Sequence, residues 1–498
     1  MRQMITRAPL CLLGLLGLNL FAPPVAAQVF DSGPSDPILF DNVINVFDTP
    51  SELGEGFLEI GGDGSFTQLN ILEGGTVNDF SGPRFQVNSG SEINIVGGTL
   101  VSADANSGSE INLIDGSLGS VSPNSGSVVN ISGGIAGVVF IPGSGSVVNI
   151  SGGNISSLGA ESGSEVNISG GSIGNFSGAD SGSMVNISGG SIGHSYSAFG
   201  QIEISGGTIG GFFRARDGSV VNISGGDLGS NFDASFGSVV NISGGDFGGS
   251  FRVLSDSMVT ISDGTFGDFF SAQSGVVNIS GGTFGDDFGT GSFGGGFGGP
   301  PDSMVNISGG TFGNSFSARP GTVVNISGGT FGDEFEAEFG AVVNISGGTL
   351  GDEFEAEFGS VINLFGSVFF LDDQPLEDSL TPGEALTIDD RNGAILSGLL
   401  ADGSAFSFDL NGGESPNPSG VPGEDFIDLN ATLTVTLVSP NTVILGDCNQ
   451  DGVVDFADIP AFIAILQAGT FLTEADCNQD DVVDFADIPA FIAILQAG

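Results

Sequence analysis

The stretch GTVVNISGGTFGDEFEAEF, residues 321–339, is followed at once by GAVVNISGGTLGDEFEAEF, residues 340–358. Two adjacent units of 19 residues that differ at two positions make a tandem repeat, and a repeat of this period points to a stacked architecture. Following the Asn of V-N-I-S outward gives Asn70, Asn94, Asn112, Asn130, Asn149, Asn167 and Asn186, then Glu203 as a substitute. The series continues at Asn222, Asn241, Thr260 (a second substitute), Asn278, Asn306, Asn325, Asn344 and Asn363. That makes sixteen expected rungs, stepped by 18 or 19 residues almost throughout; the first step is loose and one step of 28 takes in GTGSFGGGFGGPP.

The chemistry of the unit selects strands. V-V-N-I-S is short and rich in β-branched residues, and the Gly pair after it breaks the run. Period-two geometry sends Val324 and Ile326 to one face and Asn325 to the other. Phe331, Phe335 and Ala337 share a parity around the turn at Gly332-Asp333. Glycine every few residues defeats a helix. One coil of this size cannot bury its own apolar face, but stacked coils bury a continuous core with like residues in columns ~4.8 Å apart. The expected columns are Phe247, Phe266, Phe284, Phe312, Phe331 and Leu350, and Phe270, Phe288, Phe316, Phe335 and Phe354. The Asn positions would form an amide ladder. The fold class is therefore mainly β: a parallel β-solenoid, or β-helix.

Outside the repeat the composition changes. Arg2 and Arg7, an apolar run from Leu10 to Phe21 and the small residues of Pro24-Val25-Ala26-Ala27 describe a secretory signal peptide over residues 1–27. The run is shorter than the ~20 residues a spanning helix needs, so no membrane span is expected in the mature chain. Residues 28–66 are expected as an N-terminal cap, 67–366 as the solenoid, and 367–440 as a β-rich cap or linker domain holding a Gly/Pro/Ser-rich loop near 412–423. All eight basic residues are Arg, against 59 carboxylates, for a net charge of −51. Such a chain cannot neutralise phosphates, which excludes nucleic acid and anionic membrane surfaces as partners. At 39% hydrophobic residues with 42 Phe it is nonetheless too apolar to stay unfolded.

A second repeat closes the chain. DCNQDGVVDFADIPAFIAILQAG, residues 447–469, recurs at 476–498 with Gly452 replaced by Asp481. D-x-N-x-D-G-x-V-D-x-x-D places oxygen donors at loop positions 1, 3, 5, 9 and 12 with a backbone carbonyl at 7, which is the ligand pattern of a Ca²⁺ loop. The first set is Asp447, Asn449, Asp451, Val453 (carbonyl), Asp455 and Asp458. The second is Asp476, Asn478, Asp480, Val482 (carbonyl), Asp484 and Asp487. Position 6 wants a left-handed backbone, so Asp481 makes the second site the weaker. ADIPAFIAIL after each loop, with Pro in its first turn, predicts a short helix.

Two loop–helix units with no entering helix resemble a type I dockerin domain over residues 441–498. The resemblance implies calcium-dependent folding and docking onto a cohesin-like surface protein, often in extracellular polysaccharide-degrading assemblies. Loop positions 10 and 11 are Phe456-Ala457 and Phe485-Ala486, where well-known dockerins carry hydroxyl residues for cohesin contact.

Several weaker signals remain. Stacking would set Asp333 beside Asp352, Glu334 beside Glu353 and Glu336 beside Glu355, at a cost near ~1 kcal/mol per pair even in water; either salt screens them or divalent cations lie between rungs. The Asn-Ile-Ser triplets match a glycosylation sequon, but their recurrence with the strand favours a structural ladder. His194 and Tyr196, each the only one of its kind, read as surface variation. Cys448 and Cys477 could be bridged. Val323 and its equivalents could form an apolar stripe for self-association. Catalysis is disfavoured: Arg214, Arg216, Arg252 and Arg319 look scattered, and the acids recur along columns rather than forming one asymmetric pair. The expected role is a secreted structural, adhesive or scaffolding protein at a cell surface or matrix, with polysaccharide as a candidate ligand. The rival is a dockerin-bearing polysaccharide lyase or glycoside hydrolase.

Overall fold

The computed structural model describes residues 28–29, 44–47, 59–60, 67–77, 84–137, 142–174, 178–290, 303–376, 380–389, 392–411, 425–438, 446, 448, 454, 458–468, 475–478, 483 and 486–497. The expected signal peptide lies outside them. Of the described residues 56% are strand and 5% helix, with about 14 turns of parallel β-solenoid. It divides into two compact units, Met1–Val277 and Asn278–Gly498.

The rung of residues 322–340 shows why the repeat winds. Along the strand Val323–Phe331, Val324 and Ile326 are fully buried while Val323 and Asn325 are half-buried on the outer side. The Gly pair then bends the chain. A Cβ on Gly328 would sit 2.4 Å from the Ser308 carbonyl of the preceding rung, and Gly329 has φ +100°. Phe331 turns inward, Glu334 takes the left-handed φ of 66°, and Phe335 and Ala337 point back to the core. The last corner is closed by a buried hydroxyl: Thr322 Oγ1 donates to the Arg319 carbonyl at 2.7 Å, as Ser360 does to Glu357 at 2.7 Å.

In the N-terminal unit these rungs stack in register, Val147 to Ile150 facing Glu165 to Ile168 and so onward to Met258 to Ile261. The amide ladder forms. Asn94, Asn112, Asn130, Asn149, Asn167 and Asn186 each donate from Nδ2 to the Oδ1 of the preceding Asn, at 2.7–3.0 Å. Asn222 donates instead to Glu203 Oε1 at 2.6 Å, and Asn241 to Asn222 at 2.8 Å. The segment expected as an N-terminal cap already pairs in parallel, Gln28 with Asn45, Ile44 with Gln68 and Glu59 with Gln86.

Two sequence expectations fail in this unit. Tyr196 is not surface variation: it is 2% exposed and heads an inner column, stacked on Phe213 at 5.0 Å, with Phe232, Phe251 and Phe270 following at 4.6–4.9 Å. Burial raises its hydroxyl pKa far above the ordinary range. His194 is exposed, as expected. Nor are the arginines scattered. Arg214 pairs in register with Asp233, and Asp233 with Arg252, which places Arg214, Arg216 and Arg252 on one outer face.

The C-terminal unit repeats the design with phenylalanine in both columns. Phe284, Phe312 and Phe331 stack at 4.7–4.8 Å, and Phe288, Phe316, Phe335 and Phe354 at 4.8–5.1 Å. From Phe284 to Phe335 each ring also meets the other column edge-on, Phe331 against Phe335 at 5.8 Å and 74°. Burying a Phe side chain is worth roughly 1.5–3 kcal/mol, and a good ring pair adds about 0.5–1.5 kcal/mol. Leu350 keeps the register of the column, since Thr349 faces Thr330 and Gly351 lies over Gly332, but it is only half-buried. The 28-residue step does not break the register, since Thr283 faces Thr311 and Asn306 donates to Asn278 Oδ1 at 2.8 Å.

The expected boundary at residue 367 falls inside the strand Val361–Leu371. Its first half pairs in parallel with Val342–Thr349 and with Thr432–Leu437. Its second half pairs antiparallel with Asn392–Leu400, which forms a hairpin with Ala405–Asn411. Ala385–Thr387 covers the far edge of Thr432–Leu437, Phe408 lies on Phe354 at 4.7 Å, and Thr434 Oγ1 donates to Asn363, the last ladder amide.

Candidate metal centre

Both expected helices form, α1 over Asp458–Ala468 and α2 over Ile488–Ala497. α1 starts at the last loop aspartate and α2 one residue after it, because Pro460 and Pro489 tolerate the first turn, where no amide donor is needed. The two halves share one small core. Phe462 and Phe491, at equivalent repeat positions, stack at 4.0 Å, with Cys448, Ala475 and Cys477 buried around them. Gly446 fits where a Cβ would lie 3.0 Å from Ile494 of α2, so the start of the first loop packs on the second helix.

Of the twelve expected ligands, Asp447, Asn449, Asp451, Val453, Asp455, Asp480, Val482 and Asp484 lie outside the described residues. The other four are placed. Asp458 and Asp487 are 0% exposed and Asp476 is 5% exposed. Asp487 Oδ1 accepts the backbone amide of Asn478 at 3.0 Å, joining loop positions 12 and 3, while its own carbonyl takes the first helical bond from Phe491 at 2.8 Å. One residue thus closes the loop and starts the helix.

The charge balance of this region sets its chemistry. Residues 441–498 contain no Lys, Arg or His. Burying an ionised carboxylate costs several kcal/mol unless it is paired or neutralised. Asp458 belongs to the first loop and Asp476 and Asp487 to the second, and among the described residues no three His, Cys, Asp or Glu side chains are grouped as a metal site; carboxylate oxygens are the donor type that a hard divalent cation such as Ca²⁺ takes. Cys448 and Cys477 carry no disulfide. Burial first, then Asp487 and Asp476, push the Cys477 thiol up to about 11, so near neutrality it is a protonated packing group.

The acidic turns behave differently. Glu336 faces Glu355 across one rung step, and Asp333 Oδ1 accepts the Asp352 amide at 3.1 Å. Ser317 donates to Glu336 at 3.2 Å, and Arg319 Nε lies 3.4 Å from Glu338. Burial and the charges of Glu338, Glu357 and Glu355 push Glu336 up to about 7. The strain of like charges is thus met partly by protons and hydroxyl donors. The sequon reading also gives way, since the Asn amides are committed to the ladder.

No protein-family model matches the chain, and no match to it is found among the curated proteins or the solved structures. Among the described residues no helix is long and apolar enough to cross a membrane.

Proposed function

We propose that residues 441–498 form a dockerin-like domain that binds Ca²⁺ in both loops, and that the chain is an exported acidic β-solenoid with a structural, adhesive or scaffolding role. The observation that carries the calcium reading is the burial of Asp458, Asp476 and Asp487 in a segment with no cationic side chain. An ion in each loop would neutralise these carboxylates, and the helices would then form around a compensated centre. Ile463 and Ile492, each 46% exposed at equivalent helix positions, would supply the apolar contacts with which the domain docks on a surface partner. Residues 367–440 would cap the solenoid by covering its last parallel edge.

Isothermal calorimetry of the intact protein tests the calcium assignment. Calcium should bind with one ion per loop, far more tightly than Mg²⁺, and the loop with Gly452 should fill first. Absence of a calcium heat, or equal response to both ions, would defeat it.

A further inference from the structure

The chain carries eight arginines, of which Arg2 and Arg7 lie in the expected signal peptide. Three of the other six fall on one lateral face of the N-terminal unit. Arg214, Asp233 and Arg252 occupy one outward column on consecutive rungs, with Ser197 before them and Ser271 after. Arg216 stands two residues along from Arg214, on the same side of its strand because Ala215 between them is buried.

Asp233, 8% exposed, holds Arg252 through two bonds, Nε at 2.7 Å and Nη2 at 2.9 Å, while Arg214 Nε lies farther off at 3.5 Å. Both arginine side chains remain 41% exposed. Arg216 takes part in none of the ion pairs among the described residues, and its Nε is buried without a hydrogen-bond partner. Asp217 beside it directs Oδ1 toward the next rung, 3.3 Å from where a Cβ on Gly237 would sit. Three guanidiniums against Asp233 and Asp217 leave one net positive charge on this face of a chain of net charge −51. The shared Asp233 fixes two of the three side chains in advance, which lowers the ordering cost of binding.

We propose that Arg214, Arg216 and Arg252 form a binding site for an oxyanion carried on a sugar chain, a carboxylate or a sulfate ester. Guanidinium forks bind such groups through paired N–H donors, and the half-exposed Arg214 and Arg252 side chains present theirs to solvent beside Arg216. The arginine column runs along the stacking direction, so an extended polymer would lie lengthwise across successive rungs, ~4.8 Å apart. The surrounding acidity discriminates, since a ligand not centred on this face meets repulsion. The proposal names a ligand class for the adhesive role and in that respect rests on it. It makes no use of the calcium loops, so the two can fail separately.

The test is calorimetric titration of the intact protein in buffer free of divalent ions and low in salt. The probes are tetragalacturonate (carboxylate only), an ι-carrageenan tetrasaccharide (sulfate only) and cellotetraose (neutral). Binding of either anionic probe, weakened at least tenfold by Arg216→Gln and also by raised salt, supports the site, and the probe that binds names the oxyanion. Arg216→Gln removes no ion pair and Arg214→Gln leaves Asp233 its two bonds from Arg252, so circular dichroism of both variants should be unchanged. Anionic binding that is equal in wild type and Arg216→Gln overturns the proposal. So does failure of both anionic probes, or equally tight binding of the neutral one.

Discussion

The solenoid rungs and the last fifty-eight residues are both built from repeats, but they bury opposite chemistry. In the rungs the interior is Val, Ile and Phe, and the polar Asn column satisfies itself by donating to its own neighbours. The ladder amides find their partners within the stack. In the C-terminal loops the buried groups include three carboxylates, and the segment supplies no positive side chain. A repeat whose ladder pairs with itself can be extended rung by rung; on our proposal, a repeat that buries acids takes up a cation. The comparison sets rungs whose Asn column pairs with itself against loops for which we propose a bound ion.

The sharpest way to break that contrast is to remove one loop aspartate. Asp487→Ala deletes both a buried carboxylate and the acceptor for the Asn478 amide. The C-terminal helices should be lost, read as proteolysis within residues 470–498, while the solenoid's melting is unchanged. The next effect is a column truncation. Phe335→Ala, within a ring stack and 2% exposed, should cost about 3–5 kcal/mol in denaturant melts. Phe339→Ala, 50% exposed, should cost less than about 1 kcal/mol. Asn325→Ala severs the ladder on both sides, the 2.8 Å bond to Asn306 and the 2.7 Å bond from Asn344, and should cost about 1–3 kcal/mol. Asn325→Asp still accepts from Asn344, as Glu203 does from Asn222, and should cost less.

The smallest effect concerns pH. Glu336 has a folded pKa of about 7 against an ordinary 4.5, so the folded state holds its proton more strongly. Its stabilising contribution is complete below pH 4.5 and is lost as pH rises through 7. Solenoid stability should therefore decline from pH 5 to pH 8, and Glu336→Gln should flatten that slope. Because the side chain is only partly buried, the gain at pH 8 should stay below about 1 kcal/mol.

Much of this was legible because the repeat states its own register. Val324, Ile326, Phe331 and Phe335 could be sent inward from parity and spacing alone, and the Asn ladder followed from a recurring position. Tyr196 was missed because its rung is shortened: the step from Asn186 to Glu203 is 17 residues, which hid its alignment with Phe213. The arginine face was missed although Arg214, Asp233 and Arg252 stand 19 residues apart, since attention to the strand V-V-N-I-S left the short second strand uncounted. The strand across residue 367 could not be read, because its antiparallel partner lies in a segment with no repeat to set the pairing. In the loops the ligand types were legible, whereas the burial of Asp458 and Asp487 required the core made by Phe462 and Phe491.

Hydrogen exchange read by mass spectrometry, with the intact protein compared in calcium and in chelator, bears most directly on the contrast between the two regions. Chelation should abolish protection across residues 446–497 and leave residues 304–364 as protected as before. Protection of the C-terminal helices that survives chelation would contradict the account, as would a parallel loss in the rungs.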